Sequence, residues 1–170
     1  RRLTALITNI LKLNKLENQQ IYPKVAPYDL GEQLRECVLG FEEAWSAKNI
    51  ELEADIADGI IVTTDGALLS LVWNNFLSNA IKFTQGGGKI CVRLFQEEDK
   101  ICVSVQDSGC GMDEKTRAHV FDKFFQGDTS HATQGNGLGL ALAARVASIC
   151  GGKITVESEA GKGSTFYFIF

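Results

Sequence analysis

The hydrophobic period of this chain switches repeatedly between 3.6 and 2, and that switching limits what it can fold into. Leu3, Leu6, Ile7, Ile10, Leu11, Leu13 and Leu16 fall on one helical stripe. A lone stripe on a terminal helix needs a cover, either the domain body or a second copy. Pro23 and Pro27 then interrupt the chain and read as a linker with a short extended piece. A helical pattern runs from about Leu30 to Lys48, and short strands follow near Ile50–Ala54 and Ile60–Thr64. Asp65 stands as N-cap to a helix from about Ala67 to Phe83, which the run Gly86–Gly88 follows. Lys89–Phe95 alternates, turns at Glu97–Lys100 and returns over Ile101–Gln106 as a hairpin. A short helix near Asp113–Val120 leads into Phe121–Phe125, and residues 126–136 are polar and aperiodic, hence a loop. Gly137 opens a helix through Cys150, and a last hairpin joins Lys153–Ser158 to Thr165–Phe170. This order predicts an α+β fold: a two-layer α/β sandwich, helices covering one face of a mixed sheet, preceded by a helical segment.

Composition narrows the class. Among 170 residues the hydrophobic set is 45% and the charged set 22%, which describes one globular domain with a real core. The net charge of −4 comes without a basic stripe, so no nucleic acid partner is expected. Five cysteines, none spaced as Cys-x-x-Cys, read as reduced thiols in a cytoplasmic domain. No apolar run is long enough to span a bilayer. The chain opens in mid-helix at Arg1 and Arg2, and so reads as part of a longer parent.

Four separated segments carry chemistry. In the first, Asn74 to Thr84, helical spacing puts Asn75, Asn79 and Lys82 on one face and turns Val72, Phe76, Ala80 and Phe83 to another. Two asparagines inside a helix sacrifice propensity, and an amide oxygen is a hard neutral ligand suited to Mg²⁺. Lys82 can meet phosphate as a point charge. A solvated polar face would explain this segment equally well if it stood alone. The second, Asp107-Ser108-Gly109-Cys110-Gly111-Met112, follows a strand. Its carboxylate can accept from the exocyclic amine of adenine, although a tight turn would also favour Asp and Gly. The third, Gly135-Asn136-Gly137-Leu138-Gly139-Leu140, turns a loop into a helix whose free N–H groups suit a triphosphate. Its spacing matches neither the dinucleotide fingerprint nor the Walker-A loop. The fourth, Gly161 to Phe166, is by itself a hairpin turn.

In this order the four segments resemble the N, G1, G2 and G3 boxes of the sensor histidine kinase catalytic domain. Phe121-Asp122-Lys123-Phe124-Phe125 matches that family's F box. The superfamily also holds gyrase, the heat-shock chaperones and mismatch-repair ATPases. The resemblance covers residues 28–170. Residues 1–20, ending in Leu13-Asn14-Lys15-Leu16-Glu17, look like the end of the second dimerisation helix, with 21–27 as linker.

The resemblance implies ATP and Mg²⁺ as cofactors, with Asn79 on the metal and Asn75 supporting the phosphates or the metal shell. Lys82 would contact phosphate and Asp107 the adenine amine. Gly109 and Gly111 would floor the base, with Met112 against the ring and Phe83 and Phe125 beside the nucleotide. Gly135, Gly137, Leu138, Gly139 and Leu140 would wrap the phosphates, Thr165 would sit near Asp107, and Phe124–Gln134 would form the ATP lid. Many kinases carry arginine where Gln126 stands, and Lys123 is the candidate to compensate; Asn75, Lys82 and Lys123 are thus the expected catalytic set. His119 and His131 lie outside the family's phosphoacceptor pattern and read as structural or lid residues.

The implied acceptor is a histidine on a helical domain of the same protein, and the implied partners are a response regulator receiver domain and a second copy joined through the leading helix. The implied location is a cytoplasmic domain, of a parent that can sit in the cell membrane. The alternative is an ATP-hydrolysing or purely ATP-binding module of the same superfamily. Gyrase-type relatives carry a glutamate base where Asn75 stands, and asparagine cannot serve as one.

Overall fold

The structure is a computed structural model that describes residues 2–18, 22–126 and 137–170. Its elements are α1 (Arg2–Glu17), β1 (Ala26–Asp29), α2 (Leu30–Gly40), α3 (Glu42–Ala47), β2 (Glu51–Ile56), β3 (Ile61–Thr64), α4 (Gly66–Phe83), β4 (Lys89–Glu97), β5 (Lys100–Asp107), α5 (Glu114–His119), α6 (Gly139–Ile149), β6 (Lys153–Glu159) and β7 (Gly163–Ile169). Five strands form one sheet in the order β2-β4-β5-β7-β6, with β2 parallel to β4 and the other pairs antiparallel. The expected mixed sheet is therefore present, and α2, α4 and α6 contribute the helical side of one core. Along β4, β5 and β7, alternate residues Ile90, Val92, Leu94, Val103, Val105, Phe166 and Phe168 are buried against the helices, while Cys102 and Ser104 of the central strand β5 are buried as well.

α4 is the centre of that core. Its residues Leu69, Val72, Trp73, Phe76, Leu77 and Ala80 are buried. The Trp73 ring meets Phe168 edge-on at 5.2 Å, and its indole N–H donates to Gln33 Oε1 at 2.9 Å. An aromatic pair of this kind contributes about 0.5–1.5 kcal/mol beyond area burial. The helix start is fixed by Asp65, as its position predicts: Oδ1 accepts from Leu68 N at 3.0 Å. Its second oxygen accepts from Lys24 N at 2.7 Å, so one buried carboxylate caps α4 and ties down the chain that leads in from α1.

Two expectations change. The helix expected over 30–48 is divided at Phe41, whose φ of −102° and ψ of 8° end α2 and begin α3. Gly40 weakens the last turn of α2, and the bend lets Trp45 pack on the core and donate to Val38 O at 3.4 Å. Ala26 and Pro27, at the end of the expected linker, pair with Thr64 and Thr63 in an antiparallel ribbon, β1 with β3, which is the short extended piece read there. The leading stripe is split between covers. Leu13 and Leu16 are buried in the domain core, whereas Ile7 (49%), Ile10 (36%) and Leu11 (54%) remain exposed. The side chains of Leu3 and Leu6 lie outside the described residues. No helix among the described residues is long and apolar enough to cross a membrane.

Candidate nucleotide site

β5 ends on Asp107, and the sheet register brings Ser164 of β7 opposite it. The carboxylate is buried and accepts from Gly109 N at 2.9 Å and from the backbone N–H of Ser164. Burial pushes its pKa from 3.8 up to about 6, and the two N–H bonds pull only part of the way back. Among the described residues no basic side chain is close enough to shift it. A buried carboxylate so placed at the end of a strand is suited to a neutral donor such as an exocyclic amine.

Three backbone segments close around this group. A side chain on Gly109 would stand 2.6 Å from the Phe83 carbonyl oxygen and 2.8 Å from Asp107 Oδ1, so only glycine lets the strand end pass against the last turn of α4. Gly111 has φ of +63°, and a side chain there would collide with the Glu159 carbonyl in the β6–β7 turn. That turn is bonded back onto the loop: Met112 N donates to Ser158 Oγ at 2.8 Å and Gly161 N to Cys110 O at 2.7 Å. Ser158 and Ser164 share a hydroxyl bond at 2.8 Å, with either one as donor. The hairpin turn is thus a clamp on the Asp107 loop.

Thr165 requires correction. It pairs with Gln106, while Ser164 stands opposite Asp107 and bonds to it. Adjacent residues of a strand face opposite sides, so one residue of register moves the assignment from Thr165 to Ser164. Ser158 was also missed, since only the folded hairpin brings it to Met112.

The polar face of α4 lies beside this floor. Asn75, Asn79 and Lys82 are each half-buried on one helical side, as their spacing predicts. Asn75 Nδ2 donates to Leu71 O at 2.7 Å, and a side chain on Gly139 would collide with Asn75 Oδ1. The start of α6 therefore abuts Asn75 directly, which brings the glycine-loop amides to the asparagine face. Lys82 Nζ sits 4.9 Å over the Phe83 ring, and burial lowers its pKa from the usual lysine value. Phe83 is 36% exposed, so it leaves the apolar side expected for it and lies at the rim of the site. Leu138 is fully buried in the core and Leu140 partly so, leaving their backbones to any ligand contact. A cleft of about 480 Å³ opens on the other side of Asn75, between α1, α2 and α4.

Lys123 does not point to this face. Its ammonium pairs with Glu17 at the end of α1, and Arg145 of α6 donates to Leu16 O at 3.2 Å from the same side. The structure ties the F-box lysine to the leading helix, which weakens its assignment as a phosphate ligand. His119 is exposed and bonds Asp122 at 2.8 Å, with its ring 5.7 Å from that of the half-buried Phe125. Phe124 N donates to Gly137 O at 2.9 Å, so the first residue of the expected lid is held against the glycine segment that leads into α6. Gly135, His131 and lid positions 127–134 lie outside the described residues. Among the described residues no cluster of three or more His, Cys, Asp or Glu could hold a metal. The amide oxygens of Asn75 and Asn79 on the α4 face are hard neutral ligands of a kind that suits magnesium.

Residues 64–170 match the family described as histidine kinase-, DNA gyrase B- and HSP90-like ATPases. The sensor histidine kinase RppB of Synechocystis sp. is 34% identical over 170 residues, covering 98% of this chain and 37% of its own length. The circadian input-output histidine kinase CikA of Synechococcus elongatus is 35% identical, covering 96% of this chain and 22% of its own. The chain thus spans well under half the length of these relatives. Full-length ShkA in complex with AMPPNP superposes with a TM-score of 0.88 at 29% identity, over 98% of this chain and 35% of that one. ThkA in complex with the response regulator protein TrrA gives 0.81 at 27% identity, over 99% and 47%.

Proposed function

Because this chain belongs to the histidine kinase-, DNA gyrase B- and HSP90-like ATPase family and carries the ATP-binding catalytic domain of sensor histidine kinases, we propose that it presents the γ-phosphate of ATP to an imidazole outside its own residues. The observation that carries this reading is the buried Asp107 carboxylate, held by the backbone N–H groups of Gly109 and Ser164, one loop from the α4 face that bears Asn79 and Lys82. Adenine enters against Gly109, Gly111 and Met112, with its amine donating to Asp107. The start of α6, from Gly137 to Leu140, points the positive end of that helix at the phosphates. Lys82 adds a cation whose half-burial strengthens its attraction to phosphate.

Asn79, with Asn75 beside it, would hold Mg²⁺ carried in by the triphosphate; the ion, when bound, neutralises charge on the phosphoryl oxygens. Transfer then requires the imidazole nitrogen to attack phosphorus in line as the bond to the β-phosphate oxygen breaks and ADP departs. The residues described supply position and charge compensation, and none supplies a base for water at Asn75. The domain division that fits is residues 1–20 as the end of the dimerisation helix, 21–27 as linker and 28–170 as catalytic domain. The acceptor belongs to the helical domain of the same protein, and a response regulator receiver domain takes the phosphoryl group next. Titration calorimetry of the chain with ATP or ADP and Mg²⁺ should give a dissociation constant from about 1 μM to 1 mM. Absence of heat and of competition by every adenine nucleotide would remove the reading.

Self-association runs through α1. Leu13 and Leu16 are used by the domain body, which among the described side chains of the stripe leaves Ile7, Ile10 and Leu11 for a second copy. That is a small apolar surface, and the dimer of this chain should be weak. Light scattering at rising concentration should show a reversible increase in mass that Leu11→Glu removes without changing the thermal transition. A strictly monomeric chain at high concentration would count against α1 as the dimer face within these residues.

A further inference from the structure

We propose that Lys48, which lies on no motif, is a positioning residue for the nucleotide site, holding the last turn of α4 in place. The proposal rests on the ATP-site reading above. α4 ends at Phe83 without the left-handed glycine that commonly closes a helix; its C-cap, Thr84, is extended with φ of −78° and ψ of 131°. The final carbonyls therefore need outside donors. Thr84 supplies N–H and Oγ1 to Ala80 O, at 3.0 and 2.6 Å. Lys48 supplies the next two: its Nζ donates to Ile81 O at 2.6 Å and to Lys82 O at 3.4 Å. The backbone of the same residue accepts from Gly87 N at 3.0 Å, so Lys48 also braces the turn that leaves the helix. An ammonium at this point opposes the negative end of the helix dipole.

What this turn carries makes the brace functional. Lys82 and Phe83 line the site, and the Phe83 carbonyl is the wall against which Gly109 passes beside Asp107. Lys48 reaches the turn from the connection between α3 and β2 and bonds only its carbonyl side, so it contacts no ligand of the site itself. If the brace is lost, the last turn loses the donors to two of its carbonyls, and both the phosphate-side cation and the adenine-side wall move. A small displacement of positioning groups is enough to weaken a bound state substantially.

The test is a series at Lys48, read by Mg²⁺-ATP titration and by amide hydrogen exchange at a temperature where each variant is folded. Lys48→Arg, which keeps charge and donors, should bind close to the unmodified chain. Lys48→Gln should be weaker, and Lys48→Met weaker by about tenfold or more. Exchange at residues 82–84 should accelerate in the same order while the β4–β5 amides stay protected. A merely structural role would change the melting temperature without this local exchange pattern and without rescue by arginine. Equal affinity of Lys48→Met and the unmodified chain overturns the proposal, as does an arginine variant as weak as the methionine one. Should Lys48→Met fail to fold, the Arg–Gln pair decides by the same criterion. If the unmodified chain bound no nucleotide, the ATP-site reading would fail; exchange at 82–84 unchanged by the substitutions would then separately dispose of the brace.

Discussion

Replacing Asp107 by asparagine should weaken Mg²⁺-ATP binding by about 100-fold while making the nucleotide-free chain more stable. The loss follows from the acceptor. An ionised carboxylate receives the adenine amine, and a charge-assisted bond lost in a buried site costs about 1.5–3 kcal/mol, with a further penalty where an amide N–H faces the amine. GTP, which lacks that amine, should be affected little, and equal losses for both nucleotides would make Asp107 a purely structural residue. The gain in stability follows from the pKa. The folded value of about 6 lies above the usual 3.8, so this group contributes stability that is fully present below pH 3.8 and lost as pH rises through 6. At neutral pH the folded chain therefore carries the cost of an ionised buried group, on the order of 1–3 kcal/mol, which the neutral amide removes. Denaturant melts should put Asp107→Asn above the parent at pH 7, with the gap closing towards pH 4. ATP affinity of the parent should fall as pH drops below about 6, and the variant should lack that component.

The second large effect concerns Asn79. Asn79→Ala removes the amide oxygen from the half-exposed face of α4 without touching the buried side, where Phe76, Leu77 and Ala80 hold the helix in the core. The fold should therefore survive. Phosphoryl transfer to an added histidine-bearing domain should fall by at least about 100-fold, the usual consequence of removing a group that compensates transition-state charge. Cys110→Ala is the control. Its backbone carbonyl, bonded to Gly161 N, is what the loop uses, and the thiol makes no described contact with the asparagine face. Most of the transfer should persist in that variant. A transfer rate in Asn79→Ala equal to the parent's would remove the metal assignment.

Much of the architecture was legible because its causes are local. Asp65 before an apolar period of 3.6, and the alternation in Lys89–Phe95, each declare an element through neighbouring residues. The division at Phe41 was not legible, since apolar spacing continues across it and Gly40 alone does not end a helix; the packing of Trp45 completes the bend. The site was legible as a set of segments and less so as contacts. Asp107 and the α4 face could be read from residue type and spacing, whereas the choice of Ser164 over Thr165 depends on pairing register between β5 and β7. Lys123 and Lys48 depend on partners far away in the chain, Glu17 and Ile81, and nothing in their own surroundings announces them. A lysine reads as a solvated surface group until the fold supplies its acceptor.

The central claim, a phosphoryl donor rather than a hydrolase, is tested most directly by one comparison. The chain is incubated with γ-labelled ATP and Mg²⁺, alone and with the histidine-bearing helical domain of its parent. General-base assistance is commonly worth on the order of 10²–10⁴ in rate, and asparagine at position 75 cannot provide it, so release of inorganic phosphate by the chain alone should be slow. The added domain should acquire label that is labile to acid and stable to alkali, as phosphohistidine is. Brisk ATP turnover by the chain alone, with no label on the added domain, would contradict the account and make this an ATPase.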